Sequence, residues 1–177
     1  MQVFDWNSPN QQKDTLMSPL DSIRYYKSFL RAAMMSMEPQ TGHVRAWVGG
    51  VNYRHFQYDN VIQGTRQAGS IFKPFVYATA IDQLRLSPCE TLPDTQFCIA
   101  AGKHGNMERW CPKNSGGTYT GEMLTYKRAL AKSVNSVTAQ VIDKVGPNPV
   151  VQLVKNLGIK SKLLPVPSIA LGTADVN

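Results

Sequence analysis

Hydrophobic and polar positions divide the chain into a polar opening, a strand-forming stretch and a largely helical remainder. Residues 1–19 are polar and aperiodic, with Phe4 and Trp6 as the only large anchors, and read as an extended lead-in. In "LDSIRYY", Asp21 or Ser22 is placed to cap a helical turn holding Ile23, Tyr25 and Tyr26. "RAAMMSMEP" and "HVRAWVGG" then read as two strands, and the proline and glycine of "EPQTG" predict the turn of an antiparallel hairpin. Residues 51–69, with their glycines, asparagines and tyrosines and Arg54, His55 and Arg66, predict a surface loop.

At residues 70–84 the pattern changes. Ile71, Phe72, Phe75, Val76, Tyr77, Ala78, Ala80 and Ile81, with Leu84 beyond, are apolar almost all the way round, so a buried helix is expected. Residues 87–117 hold prolines, glycines and cysteines and predict irregular structure with room for one small hairpin. Three more helices are expected: "GEMLTYKRALAKS" after Gly121, "SVTAQVIDKVG" after Asn135, and "NPVVQLVKNLGI" from near Pro149, with Gly158 as its stop. Strands at one end and helices at the other predict an α+β fold, and no internal repeat is present.

With 177 residues, 42% of them hydrophobic and 18% charged, the chain suits one compact domain or part of a larger one. Its net charge of +7 is scattered, without a block of five like charges. That argues against nucleic acid as a partner and suits a domain held near an anionic polymer or membrane. No segment approaches the roughly 20 apolar residues of a membrane span. The N-terminus lacks a signal-peptide layout, so the chain reads as soluble, with any anchor or export signal outside it. Cys89, Cys98 and Cys111 form no zinc pattern, and neither metal nor cofactor is expected. Cys98 and Cys111 lie in two short segments around a glycine-containing turn, compatible with a disulfide in an oxidising compartment or with free thiols.

The sharpest chemical feature is "GSIFKP". A serine and a lysine three residues apart on a helix share a face. Apolar surroundings and the positive helix N-terminus both disfavour the ammonium of Lys73, lowering its pKa toward neutrality. A neutral amine beside a hydroxyl is a base that makes a nucleophile of Ser70. Gly69 allows close approach to the backbone, the Ser70 amide is placed to donate to an oxyanion, and Pro74 falls in the tolerant first turn. In "ALAKSVNSVTAQ", Ser133 and Asn135 flank one residue between two helical segments. They can point into a cleft as proton relay and peptide-binding carboxamide, or one of them can simply cap the next helix.

"RQAGSIFKPFVYATAI", then "RALAKSVNSVTAQ", "LVKNLGI" and "PSIALGTADV" together closely resemble the transpeptidase domain of class A penicillin-binding proteins, the bifunctional enzymes of peptidoglycan synthesis. The resemblance runs from about Ala32 to the end, leaving residues 1–28 as lead-in and 29–177 as the N-terminal and helical part of the domain. It implies a partial penicillin-binding protein/β-lactamase-like fold in which Ser70 is acylated, Lys73 is its general base, Ser133 shuttles the proton and Asn135 binds the substrate amide. Ala68 and Ile71 stand where proline and threonine are usual, and neither change removes a reacting atom.

The family's third motif, K-T-G, is absent, since Lys144-Val145-Gly146 precedes "SIALGTADV" where the family places K-T-G after it. With it would go the strand bearing the second oxyanion donor, the clamp on the substrate carboxylate and most of the central sheet. The resemblance therefore implies a fragment of a D-alanyl-D-alanine transpeptidase, inactive or nearly so as it stands. Its partners would be stem peptides and β-lactams. Its parent would be membrane-anchored, with the catalytic domain on the extracytoplasmic side of a bacterial cell membrane and a glycosyltransferase half. A serine β-lactamase and a non-catalytic sensor of cell-wall fragments or β-lactams are the alternatives.

Overall fold

The computed structural model describes residues 1–177, which divide into two compact units, Met1–Thr65 with Asn177, and Arg66–Val176. Both contain helices and short antiparallel strand pairs, giving an α+β fold.

In the first unit, β1 (Gln2–Phe4) pairs with β2 (Gln12–Asp14), and α1 spans Pro19–Ser28. The opening is thus a hairpin and a helix where an extended lead-in was expected. The reason is long-range: Val3 and Phe4 are buried, and the Phe4 ring meets Phe29, Phe56 and Trp6 edge-on at 5.2, 5.3 and 6.2 Å. Ser18 caps α1 by accepting from the Asp21 amide, ahead of Pro19 in the first turn. The cap therefore lies three residues before the expected Asp21, whose carboxylate instead accepts from the Ser18 hydroxyl. The expected hairpin forms between β3 (Met34–Met37) and β4 (Val44–Val48), with a register shift at Ser36/Met37. Met34, Met35, Met37, Val44, Trp47 and Val48 are all exposed on this two-stranded ribbon, which is too narrow to bury either face.

The second unit is a helical core with strand pairs on its margin. The pair β5 (Arg66–Gln67) and β8 (Asp175–Val176) brackets it, and β6 (Thr91–Pro93) pairs with β7 (Met123–Thr125). A 3-10 turn, Gly69–Phe72, runs into α2 (Lys73–Leu84), followed by α3 (Tyr126–Ala131), α4 (Asn135–Val145), α5 (Pro147–Asn156) and a 3-10 segment, Pro167–Leu171. Phe72, Val76 and Ala80 of the turn and α2 join Val137, Val141, Ile142, Val150, Val154 and Ile169 in one core.

The central helix is α4, in contrast to the all-round burial expected of α2. On α2 and the turn before it, Ile71 is 76% exposed, and Ile81 and Leu84 are also at the surface. Along α4, Ser136 through Ile142 are buried without a break. Its polar members are each satisfied: Thr138 Oγ1 donates to Val134 O, Gln140 Nε2 to Pro93 O and Ser136 Oγ to Asp94. The segment after Gly121 begins as strand β7, with helix only from Tyr126, because "MLT" completes a ladder with "TLP". Gly146, at φ 77°, ends α4, and Pro147 opens α5 two residues before the expected start.

Candidate active site

Ser70 and Lys73 lie one 3-10 turn apart, with the Lys73 amide donating to Ser70 O. The turn is fixed from behind by main chain. Ala68 N donates to Ala174 O and Gly69 N to Gly172 O, extending the β5–β8 pair toward the serine. Gly69 has φ 59° and Gly172 φ 64°, conformations that favour glycine. Pro74 sits in the first turn of α2, as expected, where its missing N–H leaves nothing unpaired.

The two side chains then part company. Ser70 is exposed, whereas Lys73 retains 1% exposure. The Lys73 ammonium donates to Ser133 O at 2.7 Å, Ser133 Oγ at 2.9 Å and Asn135 Oδ1 at 2.6 Å. Three donors meet three acceptors, which satisfies a buried charge that would otherwise be costly. Burial still pushes the amine down to about 8 from its ordinary 10.5. By that value ~10% of the amine is neutral at pH 7.

Ser133 follows α3 in a chain reversal, with its N–H on Leu130 O and the next amide on Ala129 O. Its φ of 55° is a left-handed conformation that a serine seldom adopts. This geometry lets both its carbonyl and its hydroxyl face Lys73. Asn135 opens α4 and donates through Nδ2 to Lys113 O at 2.7 Å, so its oxygen faces the lysine. Neither Ser133 nor Asn135 caps α4 with its side chain.

Of the four residues singled out in the sequence, Lys73, Ser133 and Asn135 are thus joined by hydrogen bonds. Ser70 stands beside them on the lysine's own turn, outside that set. Behind Asn135 lies a group the sequence does not announce. Asp94, 2% exposed, accepts from Ser136 Oγ, Asn114 Nδ2, Thr120 N and Thr120 Oγ1. Burial alone would raise its pKa, but these four hydrogen bonds outweigh it and hold the carboxyl at about 2. Its partners lie 20 to 42 residues along the chain, and "LPDTQF" read locally is only a turn.

Cys98 and Cys111 form a disulfide beside the antiparallel bridge between Ile99 and Trp110, which realises the pairing and the small hairpin left open by the sequence. Cys89 is a free, exposed thiol. No helix is long and apolar enough to cross a membrane.

Residues 32–165 match the family described as the penicillin binding protein transpeptidase domain, and residues 1–30 match the penicillin-binding protein middle domain. The chain belongs to the penicillin-binding protein transpeptidase family. Among curated relatives, penicillin-binding protein 1A of Neisseria meningitidis serogroup A is 35% identical over 149 residues, covering 84% of this chain and 18% of that protein. Penicillin-binding protein 1A of Rickettsia prowazekii is 36% identical over 148 residues with the same coverages. The crystal structure of penicillin-binding protein 1A from Haemophilus influenzae superposes with a TM-score of 0.73 at 28% identity, over 82% of this chain and 21% of that one. The transpeptidase domain of Burkholderia pseudomallei penicillin-binding protein 3 shares the fold, with a TM-score of 0.62 at 17% identity over 89% and 49% of the two chains. The chain therefore spans 18% of the length of the curated relatives named here.

Proposed function

We propose that this chain carries the acylating centre of a serine-type peptidoglycan transpeptidase that cross-links D-alanyl-D-alanine stem peptides and is trapped by β-lactams. The observation that carries this reading is the buried Lys73 amine, lowered to about 8 and held on Ser133 and Asn135, one turn from an exposed Ser70.

In the neutral state, Lys73 accepts the Ser70 hydroxyl proton as Oγ attacks the carbonyl carbon of the penultimate D-alanine. The Ser70 amide, in a first turn without an intrahelical acceptor, donates to the developing oxyanion. The C–N bond then breaks. The Lys73 proton passes through the Ser133 hydroxyl to the leaving amine, and terminal D-alanine departs. Asn135 is the residue that binds the donor's peptide amide. An acceptor amine on a second stem peptide attacks the ester, forming the cross-link and restoring Ser70. A β-lactam follows the first half of this route and leaves an acyl ester on Ser70.

The transpeptidase part is assigned to residues 29–177 and the preceding segment to 1–28, a division supported by the matches on 32–165 and 1–30. The working enzyme is placed on the extracytoplasmic side of a bacterial cell membrane, held by an anchor and joined to a glycosyltransferase half. The Cys98–Cys111 disulfide supports an oxidising compartment. Fluorescent penicillin tests the assignment in the protein at its full native length. Stable label that is lost in Ser70→Ala is expected. Rapid turnover of the drug would make it a β-lactamase, and no label at all a binding module.

A further inference from the structure

The first amides of a helix need acceptors, and a serine or asparagine at the helix start ordinarily supplies one. At the start of α4 that position is Val134, which has none to offer, while the side chains of Ser133 and Asn135 are committed to Lys73. The acceptor comes from elsewhere. Asn114 Oδ1 takes the Asn135 amide at 3.0 Å and the Ser136 amide at 3.1 Å.

A carboxamide could present either end, and Asp94 settles which. A carboxylate only accepts, so Asp94 Oδ1 holds Asn114 Nδ2 at 2.8 Å, with Thr118 O taking the same nitrogen at 3.1 Å. The oxygen is left for α4. Asp94 also grips Ser136 Oγ at 2.6 Å and is itself clamped by Thr120. The neighbouring Lys113 carbonyl orients Asn135 in the same manner, taking its Nδ2 and turning its oxygen to Lys73.

We propose that Asp94 and Asn114 are positioning residues for acylation: they cap α4 from outside the helix and so release Ser133 and Asn135 to hold Lys73. This rests on the reading of Ser70 and Lys73 as the acylating pair. Neither positioning residue touches substrate. Their effect passes through the placement of the amine.

The test times acylation by fluorescent penicillin from pH 6 to 10 in the protein at its full native length, with rates normalised to the fraction that finally labels. For Asn114→Ala the plateau rate falls at least tenfold, and the pH midpoint rises from about 8 by half a unit or more as water reaches the amine. A change that merely lowers stability removes labelled protein without moving that midpoint. Asp94→Asn, which keeps the shape but lets the Asn114 amide turn, gives the same pair of effects and decides the matter where Asn114→Ala does not fold. A plateau rate within twofold of wild type, or a lower rate with an unmoved midpoint, overturns the proposal. A wild-type protein that takes no label overturns the acyl-transfer reading instead.

Discussion

Gly172 lies so close to the main chain of Gly69 that a Cβ on it would fall 2.1 Å from Gly69 O and 2.4 Å from Gly69 N. The turn carrying Ser70 therefore rests directly on the segment that closes the second unit. Gly172→Ala forces backbone to move and adds a left-handed strain, together a loss of about 3 kcal/mol. Because the displaced backbone is that of Gly69, labelling by penicillin is expected to slow by at least tenfold even in protein that remains folded. Urea unfolding alongside labelling rates checks both. An unchanged labelling rate would show that the turn carrying Ser70 does not depend on this contact.

Lys73→Met keeps most of the packing and removes the proposed base. The acylation rate is expected to fall by about 10² or more, the upper range of a general-base contribution. In wild type the rate tracks the neutral amine: it drops about tenfold per pH unit below 8 and levels off above it. A flat profile between pH 6 and 9 would assign the base elsewhere.

Asp94 supplies a second pH dependence, in stability. Its folded pKa of about 2 lies below the ordinary 3.8, so between those values the unfolded chain binds more protons than the folded one. The contribution is present in full above about pH 4 and is lost as pH falls toward 2. Urea unfolding at pH 5 and pH 3 is expected to show a smaller loss of stability in Asp94→Asn than in wild type. Equal losses in the two proteins would deny Asp94 this role.

Cys98→Ser opens the hairpin that ends two residues before Lys113. Closing a loop of this length contributes about 3 kcal/mol in the chain-entropy account, and its loss is expected in thermal or urea unfolding. Reductant should lower wild type to the same level and leave Cys89→Ser as sensitive as wild type.

The placement of the candidate residues along the chain was legible because it is local. Ser70, Lys73 and Pro74 fall within one turn, and Ser133 and Asn135 flank one valine between two helices. The hairpin of Met34–Met37 with Val44–Val48 was legible for the same reason. What escaped depends on distant chain. Phe4 folds the opening because Phe29 and Phe56 pack against its ring. The tripeptide "MLT" is a strand because "TLP" lies beside it, and Asp94 is a structural anion because Asn114, Thr120 and Ser136 converge on it. The apolar pattern of residues 70–84 suggested burial all round, yet neighbours cover one face and leave Ile71 of the turn and Ile81 and Leu84 of α2 outside. Apolar pattern records what a helix can bury. The packing of α4, whose polar side chains each find a partner, decides which helix occupies the centre.

Peptide mapping by mass spectrometry of the penicillin-treated protein, at its full native length, is the sharpest test of the proposed acylation of Ser70. One covalent penicilloyl adduct is expected, on the peptide carrying Ser70, formed in wild type and reduced by orders of magnitude in Lys73→Met. An adduct on any other residue, or equal modification of Ser70 in the two proteins, would contradict it.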